Sequence, residues 1–293
     1  MKKLTNSRIG VIGIGHMGRP IANNLYLEGA NVTVYSRSLK NNDSLIMQGL
    51  LKASTPRELT ELSDIIILMV TDTESVNNVL HGNDGVIEGL SKDKIVIDMG
   101  TTKVRETRQW AEEIEKLGGV FIDAPVSGGQ VGAEEGTLSI MVGASTEALN
   151  LVMPVFEVLG KNITHIGEIG AGQVAKTANQ SIVGITLAAV AEGLTLAKQA
   201  GVDPAKVRLA LQGGFAESRV LDLHGGRMVE RMFEPGGPAR VQLKDLDQAL
   251  ELADQVGLKT PTVRNAQTLW KKMVDNGLGD LDQAGIIRVI END

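Results

Sequence analysis

The chain has 293 residues and a formal net charge of −7, with 42% hydrophobic and 22% charged residues. These values are ordinary for a soluble globular protein, and the length is sufficient for two domains. The negative charge and the lack of a basic run argue against a nucleic-acid partner. Since there is no cysteine, disulfides, thiol nucleophiles and cysteine-ligated metals are excluded.

The N-terminal segment and the apolar runs predict where the protein resides. Two lysines precede an apolar run that is interrupted by glycine and is too short for a cleaved signal peptide. No apolar stretch approaches the roughly 20 residues of a membrane-spanning helix. We therefore expect a cytoplasmic protein without a membrane partner.

The first half of the chain alternates short apolar runs with helical segments. Five runs predict parallel strands, and two more runs follow them. The five are RIGVIGI, NVTVYS, DIIILMV, KIVIDM and GVFIDA, and the two are LSIMVG and ITHIG. Strand and helix in alternation predict βαβ units, so the fold class is α/β with a Rossmann-type doubly wound parallel sheet.

The pattern changes after Gly167, where no further strand is predicted. The segment from Ala171 to about Ala200 lacks proline and predicts a helix about 45 Å long, apolar all round and buried on all sides. Further helical segments follow at PAKVRLALQGG, LKDLDQALELADQVG and TPTVRNAQTLWKKMVDNG. We predict a Rossmann domain over residues 1–167 and an all-helical domain over residues 168–293, joined by this long interdomain helix.

The apolar surface of the long helix is hard to cover within one small helical domain. We therefore expect a homodimer or a homotetramer, with the helical domain contributing to substrate binding and to oligomerisation. The cleft between the domains, where the strand ends meet the long helix, is the expected site.

A glycine-rich motif directly follows the first predicted strand. It consists of Gly13, Ile14, Gly15, His16, Met17 and Gly18, which form the pattern GxGxxG. Between a strand and a helix, the first glycine permits a tight turn and the second lets backbone amides approach a pyrophosphate. The third allows close packing of helix on strand. The sequence therefore predicts a dinucleotide site, with a structural turn that binds no ligand as the alternative.

The end of the second predicted strand indicates which dinucleotide binds. An NAD site has an acid there, which accepts hydrogen bonds from the ribose hydroxyls. This chain instead has Ser36, Arg37 and Ser38. An arginine between two hydroxyls would bind a 2′-phosphate. We predict NADP as the preferred cofactor, with NAD possible and a solvated loop arginine as the alternative.

Four separated motifs together resemble the β-hydroxyacid dehydrogenase family, which includes 3-hydroxyisobutyrate dehydrogenase and tartronate semialdehyde reductase. They are GVIGIGHMGRPIANNL (10–25), DAPVSGGQVGAEEGTLSIMVG (123–143), GAGQVAKTANQ (170–180) and LKDLDQAL (243–250). They span most of the chain in the order that the family has. The resemblance implies an oxidoreductase that transfers a hydride between NADP(H) and a small β-hydroxyacid or its semialdehyde.

Lys176 is the only formally charged residue between Glu168 and Glu192, and it matches the catalytic lysine of the family. The resemblance implies that it protonates the developing alkoxide in carbonyl reduction and takes the hydroxyl proton in oxidation. Burial in an apolar helix would lower the pKa of a lysine towards neutrality. We expect Lys176 in the first two turns of the long helix, facing the cleft.

The resemblance also implies a carboxylate-bearing substrate that the PVSGG loop holds through Ser127, Gly128 and Gly129. A hydroxyl and exposed backbone amides form an anion-binding concavity. Without the resemblance, the alternative is a plain glycine turn after a strand. Asn179 and Gln180 lie one helical turn beyond the lysine and could orient the substrate. Which of these two amides contacts the substrate stays open.

Three further residues are implied as contacts of the cofactor. Lys244 matches a residue that reaches the pocket from the helical domain, although taken alone it is an ordinary helix lysine. Thr101 matches a threonine at a strand end that meets the cofactor, and we expect Val70 to pack near the adenosine or nicotinamide half. Relatives commonly have the motif DxST ending in this threonine, whereas this chain has DMGT, with Gly100 in the third place.

A second departure from the family lies after Pro235. Relatives commonly place an aromatic ring there, whereas this chain has Gly237 and, further on, Arg240. One interpretation is a wider site with a second anion-binding group. The other is a plain loop with a solvated arginine.

Two competing functions remain to be weighed. An imine reductase shares the two-domain frame, but such enzymes usually replace the lysine that this chain retains. A non-catalytic NADP-binding protein would have lost the proton donor or the anion-binding loop, and both are present. The four histidines have no metal-ligand spacing, so we predict no metal site.

Overall fold

The structure, a computed structural model, describes residues 2–37, 49–234 and 236–291. The chain divides into two compact units, of which one ends at Lys176 and the other begins at Thr177. The division falls within one continuous helix. The domain boundary expected at residues 167 and 168 stays a prediction. Ser38 and Pro235 lie outside the described residues.

Nine strands of the described residues form one sheet in the first unit. They are β1 (Arg8–Ile12), β2 (Asn31–Tyr35), β3 (Leu51–Lys52), β4 (Ile65–Leu68), β5 (Ile95–Asp98), β6 (Val120–Asp123), β7 (Val126–Ser127), β8 (Leu138–Gly143) and β9 (Gly160–Gly167). Their order is β3-β2-β1-β4-β5-β6-β8-β7, with β9 paired to β8. The predicted Rossmann-type fold is confirmed.

The sheet is mixed, although the sequence predicted a parallel one. The first six strands are parallel, but β8 runs antiparallel to β6 and to β7. The reason is that the connection after β6 stays at the carboxyl edge of the sheet instead of crossing back to the amino edge. The loops that follow β1, β2, β4, β5 and β6 therefore all lie along the carboxyl edge of the sheet, where open α/β sheets bind ligands.

Helices flank the sheet in the first unit and make up the second unit. Those of the first unit are α1 (Gly18–Leu27), α2 (Pro56–Leu62), α3 (Thr73–His81), α4 (Val86–Gly89), α5 (Val104–Lys116), α6 (Gly129–Glu135) and α7 (Thr146–Leu159). The long helix α8 (Ala171–Gln199) belongs to both units. It is followed by α9 (Pro204–Leu211), α10 (Arg219–Glu230), α11 (Ala239–Gln255), α12 (Pro261–Met273) and α13 (Ile287–Glu291), with short turns at Val274–Leu278 and Gln283–Ile286.

The helical second half is confirmed, but the sequence did not predict α10. Its centre carries Gly225 and Gly226, and glycine is a poor helix former. Buried Leu221 and Met228 hold it in the core of the second unit, so tertiary packing outweighs the local preference.

The burial of α8 differs from the expectation that it is covered on all sides. Leu187 and Ala191 are fully buried, whereas Ile182 is 66% exposed and Leu196 is 71% exposed. Composition does not separate these two faces, because both are apolar. Contrary to the expectation from the sequence, α8 is also long and apolar enough to cross a membrane, with a third of its most apolar segment buried.

Candidate active site

The glycine-rich loop joins β1 to α1 and has the geometry of a phosphate loop. Gly13 has a φ of +99°, and a Cβ atom on it would overlap the backbone oxygen of Met69. A Cβ atom on Gly18 would overlap the backbone oxygen of Gly13. Apart from its neighbours along the chain, no described atom lies within 4 Å of the Cβ position of Gly15. Packing thus requires the first and third glycines, and the second leaves room for a ligand to approach the backbone.

The other three residues of this loop differ in their exposure. Ile14 is buried in the core, His16 is exposed and Met17 is half-buried at the start of α1. No side chain of the described residues caps that helix start. A helix N-terminus with uncapped N–H groups favours an anion, so the loop is suited to a pyrophosphate.

The residues predicted to bind the 2′-phosphate follow β2, the strand beside β1. The N–H of Gly13 donates to the carbonyl oxygen of Tyr35 at 3.0 Å, which links the glycine loop to the last residue of β2. Ser36 comes next and is half-buried, and Arg37 after it is exposed. The structure therefore places these two residues at the strand end where an adenosine ribose is read in this fold.

Val70 lies between the glycine loop and the loop that carries Thr101. Its Cγ1 atom is 3.0 Å from the Cβ position of Gly13, and its backbone oxygen is 2.9 Å from the Cβ position of Gly100. The same Cβ position lies 3.2 Å from Oδ1 of Asp98. This crowding accounts for a glycine before Thr101 in this chain, since a side chain there would need its neighbours to shift.

Two buried carboxylates at the strand ends hold the loops at this edge of the sheet through hydrogen bonds. The sequence did not predict a role for either of them. Asp98 ends β5 and accepts hydrogen bonds from the N–H of Gly100 at 2.9 Å and from the hydroxyl of Thr102 at 2.7 Å. The Thr102 hydroxyl also lies 3.0 Å from that of Thr107 in α5. Asp98 thus fixes the loop that contains Thr101.

Asp123 ends β6 and caps the start of α8. Its Oδ1 atom accepts from the N–H of Gly170 at 2.7 Å, and its Oδ2 atom accepts from the N–H of Gln173 at 2.8 Å. Burial raises the pKa of Asp123 to about 6, and the charge of Asp98 adds to this, while the two amides act in the opposite direction. The signal for both acids in the sequence was a charged residue at the end of a buried strand.

The first turn of α8 is seated closely on the sheet. A Cβ atom on Gly172 would overlap the backbone oxygen of Met141 and would lie 2.7 Å from that of Asp123. A Cβ atom on Gly143 would lie 2.8 Å from the N atom of Gly172. Glycine at both positions therefore lets the helix approach the strands. Lys176 lies in the next turn and is 7% exposed.

The residues of the PVSGG loop lie at the same edge, after β6. Ser127 ends β7, is half-buried and pairs with Ser139 of β8. Gly128 and Gly129 are exposed and have φ values of +136° and +63°, which favour glycine. The structure thus brings the glycine loop, Thr101, the PVSGG loop and Lys176 into one unit.

In the second unit, Gln180 is buried in a hydrogen-bonded group. Its Nε2 atom donates to Oδ2 of Asp245, and its Oε1 atom accepts from Nδ2 of Asn179 at 2.8 Å. Asp245 also forms an ion pair with Lys244, whose Nζ atom lies 3.0 Å from Oδ1. Three of the predicted site residues are therefore connected through Asp245, which sequence reasoning missed.

The segment with Gly237 is held by a buried carboxylate. Asp282 accepts from the N–H groups of Gly236 and Gly237, at 3.1 and 3.3 Å, and from Arg227 at 2.6 Å. Burial alone would raise the pKa of Asp282, but His224, the amide of residue 284 and Arg227 outweigh it, and the pKa is lowered. Arg240 is exposed and forms an ion pair with Asp280.

Comparisons with known proteins identify the family. A family profile described as the NAD binding domain of 6-phosphogluconate dehydrogenase matches residues 8–167. Another, described as NAD-binding of NADP-dependent 3-hydroxyisobutyrate dehydrogenase, matches residues 170–290. The chain is 43% identical to 2-hydroxy-3-oxopropionate reductase of Escherichia coli (strain K12), over 97% of each chain. The chain belongs to the β-hydroxyacid dehydrogenase family.

Solved structures agree with this assignment. The β-hydroxyacid dehydrogenase fold of this chain matches 3-hydroxyisobutyrate dehydrogenase from Salmonella typhimurium with a TM-score of 0.90, at 24% identity, over 97% of this chain and 100% of that one. Psf3, solved in complex with NADP+ and 2-OPP, gives a TM-score of 0.90 at 27% identity, over 96% and 99%. The predicted enzyme class is confirmed: this β-hydroxyacid dehydrogenase is an oxidoreductase that uses a nicotinamide dinucleotide.

Among the described residues, no group of three or more histidine, aspartate or glutamate side chains is placed to hold a metal ion.

Proposed function

We propose that this β-hydroxyacid dehydrogenase transfers a hydride between NADP(H) and a small carboxylate-bearing semialdehyde such as 2-hydroxy-3-oxopropionate, with Lys176 as general acid and base. One observation carries the proposal. Lys176 is 7% exposed on the helix whose first turn is capped by Asp123, at the sheet edge that also carries the glycine loop. The relative at 43% identity bears the name of a reductase of that semialdehyde.

The role of Lys176 follows from the balance of protons in the reaction. A bound reduced nicotinamide would supply the hydride to the carbonyl carbon, so that negative charge would develop on the carbonyl oxygen. The Nζ ammonium of Lys176 donates a proton to that oxygen, and the product is a hydroxyl with a neutral lysine. In the oxidative direction the neutral amine takes the hydroxyl proton before the hydride leaves.

The substrate carboxylate is assigned to the PVSGG loop. The Ser127 hydroxyl and the backbone N–H groups of Gly128 and Gly129 provide donors for an anion, and both glycines are exposed. Of the two amides on α8, we assign the substrate contact to Asn179. The reason is that the side chain of Gln180 already donates to Asp245 and accepts from Asn179.

NADP is the preferred cofactor in this proposal, with NAD as a weaker alternative. Arg37 is exposed next to Ser36 at the end of β2, where an NAD site would have an acid. The profile matching residues 170–290 carries a description that names an NADP-dependent enzyme, and Psf3 was solved with NADP+. We assign Val70, Thr101 and Lys244 as further contacts of the cofactor.

Steady-state assays with NADPH across small semialdehydes test the proposed function. We expect 2-hydroxy-3-oxopropionate to give a higher kcat/KM than succinic semialdehyde, methylmalonate semialdehyde or glyoxylate. No turnover of any of these compounds would contradict the proposal.

The replacement Lys176→Ala tests the proton donor. Loss of general acid–base catalysis should lower kcat by about 10²–10⁴-fold. Lys198→Ala is the matched control, because Lys198 lies on the same helix but is exposed and paired with Glu291. That control should keep wild-type kcat, whereas full activity in Lys176→Ala would rule out the catalytic assignment.

We also propose that the enzyme is a cytoplasmic homodimer or homotetramer in which α8 of one copy packs against α8 of another. The exposed face of α8 carries Ile182, Ala189, Gly193 and Leu196. In an antiparallel pair centred on Ala189, Ile182 of one copy would lie opposite Leu196 of the other, because the two are equidistant from the centre. Such a face is self-complementary, as a two-fold interface requires. No nucleic acid or membrane is expected as a partner.

A further inference from the structure

Gln173 lies in the first turn of α8 and is wholly buried, with 0% of its surface exposed. Its side chain forms hydrogen bonds with the loop that follows β5. The Oε1 atom accepts from the N–H of Thr102 at 3.0 Å, and the Nε2 atom donates to the carbonyl oxygen of Gly100 at 3.0 Å. Its backbone N–H donates to Asp123. One residue thus joins the ends of β5 and β6 to the helix.

These contacts require a primary amide of this length. The N–H of Thr102 needs an acceptor and the oxygen of Gly100 needs a donor, and Gln173 supplies both. A charged glutamate would direct an acceptor at the Gly100 oxygen and at Asp98, whose Oδ2 atom lies 3.4 Å from Nε2. Methionine would fill the volume but leave two buried backbone groups without this partner, which is unfavourable.

The same two elements carry residues assigned to the reaction. The loop that Gln173 holds includes Thr101, and Lys176 lies one helical turn further along α8. The hydride is delivered to the carbonyl carbon and the proton to the adjacent oxygen, so their sources must keep a fixed separation. A displacement of about 1 Å in such a pair can lower a rate by about 100-fold.

We propose that Gln173 is a positioning residue that fixes the loop of Thr101 and the helical turn of Lys176 relative to each other. The inference rests on the proposed function of Lys176. Gln173 acts through its neighbours and not on the substrate. It fixes the position of the proton donor, Lys176, relative to the loop that contains Thr101.

The kinetic test uses Gln173→Met, Lys176→Ala and the double variant, with NADPH and 2-hydroxy-3-oxopropionate as substrates. In Gln173→Met, kcat should fall by roughly 10- to 100-fold, while KM for the aldehyde changes by less than about threefold. In the Lys176→Ala background, the same replacement should change kcat by less than about twofold, because there is no donor left to position.

Gln173→Glu adds a readout that depends on pH. A protonated carboxyl has one donor and one acceptor, whereas a carboxylate has only acceptors. The activity of Gln173→Glu relative to wild type should therefore rise as the pH is lowered. A role limited to filling space would leave this ratio flat.

Thr60→Val is the control for general loss of stability. Thr60 is buried in α2 and donates to the carbonyl oxygen of Pro56 at 2.8 Å, near the amino end of β4. The replacement removes a buried hydrogen bond away from the carboxyl edge. Its melting temperature should fall, and its kcat should equal that of wild type.

The outcomes distinguish a failure of the positioning role of Gln173 from a failure of the proposed catalytic role of Lys176. Wild-type kcat in Gln173→Met, or a fall that persists in full in the Lys176→Ala background, would overturn the positioning role. Wild-type activity in Lys176→Ala would instead overturn the proposed function. If Gln173→Met does not fold, the pH dependence of Gln173→Glu decides, and a flat ratio overturns the role.

Discussion

At the scale of single residues, the proposed preference for NADP depends on Arg37. A guanidinium that pairs with a 2′-phosphate contributes charge-assisted hydrogen bonds of about 1.5–3 kcal/mol, so Arg37→Ala should raise KM for NADPH by about 10- to 100-fold. KM for NADH should stay unchanged, because NADH lacks that phosphate. Steady-state kinetics with both cofactors measure this.

Two further variants make this test specific. Ser36→Asp should shift preference towards NADH, because a carboxylate repels the phosphate and accepts from ribose hydroxyls. Arg264→Ala, at an exposed arginine in α12, should leave both KM values at wild-type levels. An equal rise of KM for NADPH and NADH in Arg37→Ala would show that Arg37 does not read the phosphate.

Asp123 gives a prediction about pH and stability. Its pKa is raised to about 6, from 3.8, chiefly by burial. The folded state therefore binds a proton that the unfolded state has already released between these two values. Stability from this group is present below about pH 4 and is lost as the pH rises through 6, by an amount on the order of 3 kcal/mol.

The measurement is the free energy of unfolding of wild type minus that of Asp123→Asn, as a function of pH. This difference should decrease from pH 4 to pH 7. Asp64→Asn is a control of opposite sign, since the hydrogen bond from Arg8 lowers the pKa of Asp64. For that pair, the advantage of wild type should grow as the pH rises from acid. A difference that does not vary with pH for Asp123→Asn would disprove the raised pKa.

At the scale of elements, the close packing of the first turn of α8 against the sheet depends on Gly172. A Cβ atom there would overlap the Met141 oxygen, which belongs to the backbone and cannot easily move. Gly172→Ala should therefore lower the free energy of unfolding by about 2–4 kcal/mol, although alanine is the better helix former. Chemical denaturation measures this change.

The control for this replacement lies in the same turn. Val174 is 41% exposed, and Val174→Ala should change the free energy of unfolding by less than about 0.5 kcal/mol. If Gly172→Ala were as stable as Val174→Ala, the close approach of helix and strands would not be required.

At the scale of the whole molecule, the exposed face of α8 predicts self-association. Ile182→Glu combined with Leu196→Glu would place charges in the proposed two-fold interface, where their desolvation is costly. The double variant should have a smaller molar mass in solution than wild type, as measured by light scattering.

Leu258→Glu is the control for that experiment, because Leu258 is exposed in the segment between α11 and α12. It should keep the molar mass of wild type. An unchanged mass in the Ile182→Glu, Leu196→Glu variant would show that this face of α8 is not the interface. Binding of the wild-type protein to lipid vesicles would instead indicate a membrane as the occupant.

Much of the fold could be predicted from the sequence because its elements are locally encoded. β-branched runs set the first strands, and glycine spacing set the loop before α1. The sequence did not predict α10, because Gly225 and Gly226 disfavour a helix that tertiary packing stabilises. It also missed the direction of β8, because strand direction depends on which edge the connecting chain follows.

The sequence by itself determined the candidate chemistry of this protein: the GxGxxG loop, the arginine after β2, the PVSGG loop and the lysine near the start of α8 are all legible as residue types at fixed spacings. Only the tertiary structure revealed the groups that hold them. Asp98, Asp123 and Gln173 are ordinary residues along the chain, and their roles arise from contacts between positions that are 47 to 75 residues apart. Such contacts depend on how strands and helices pack, which no local pattern records.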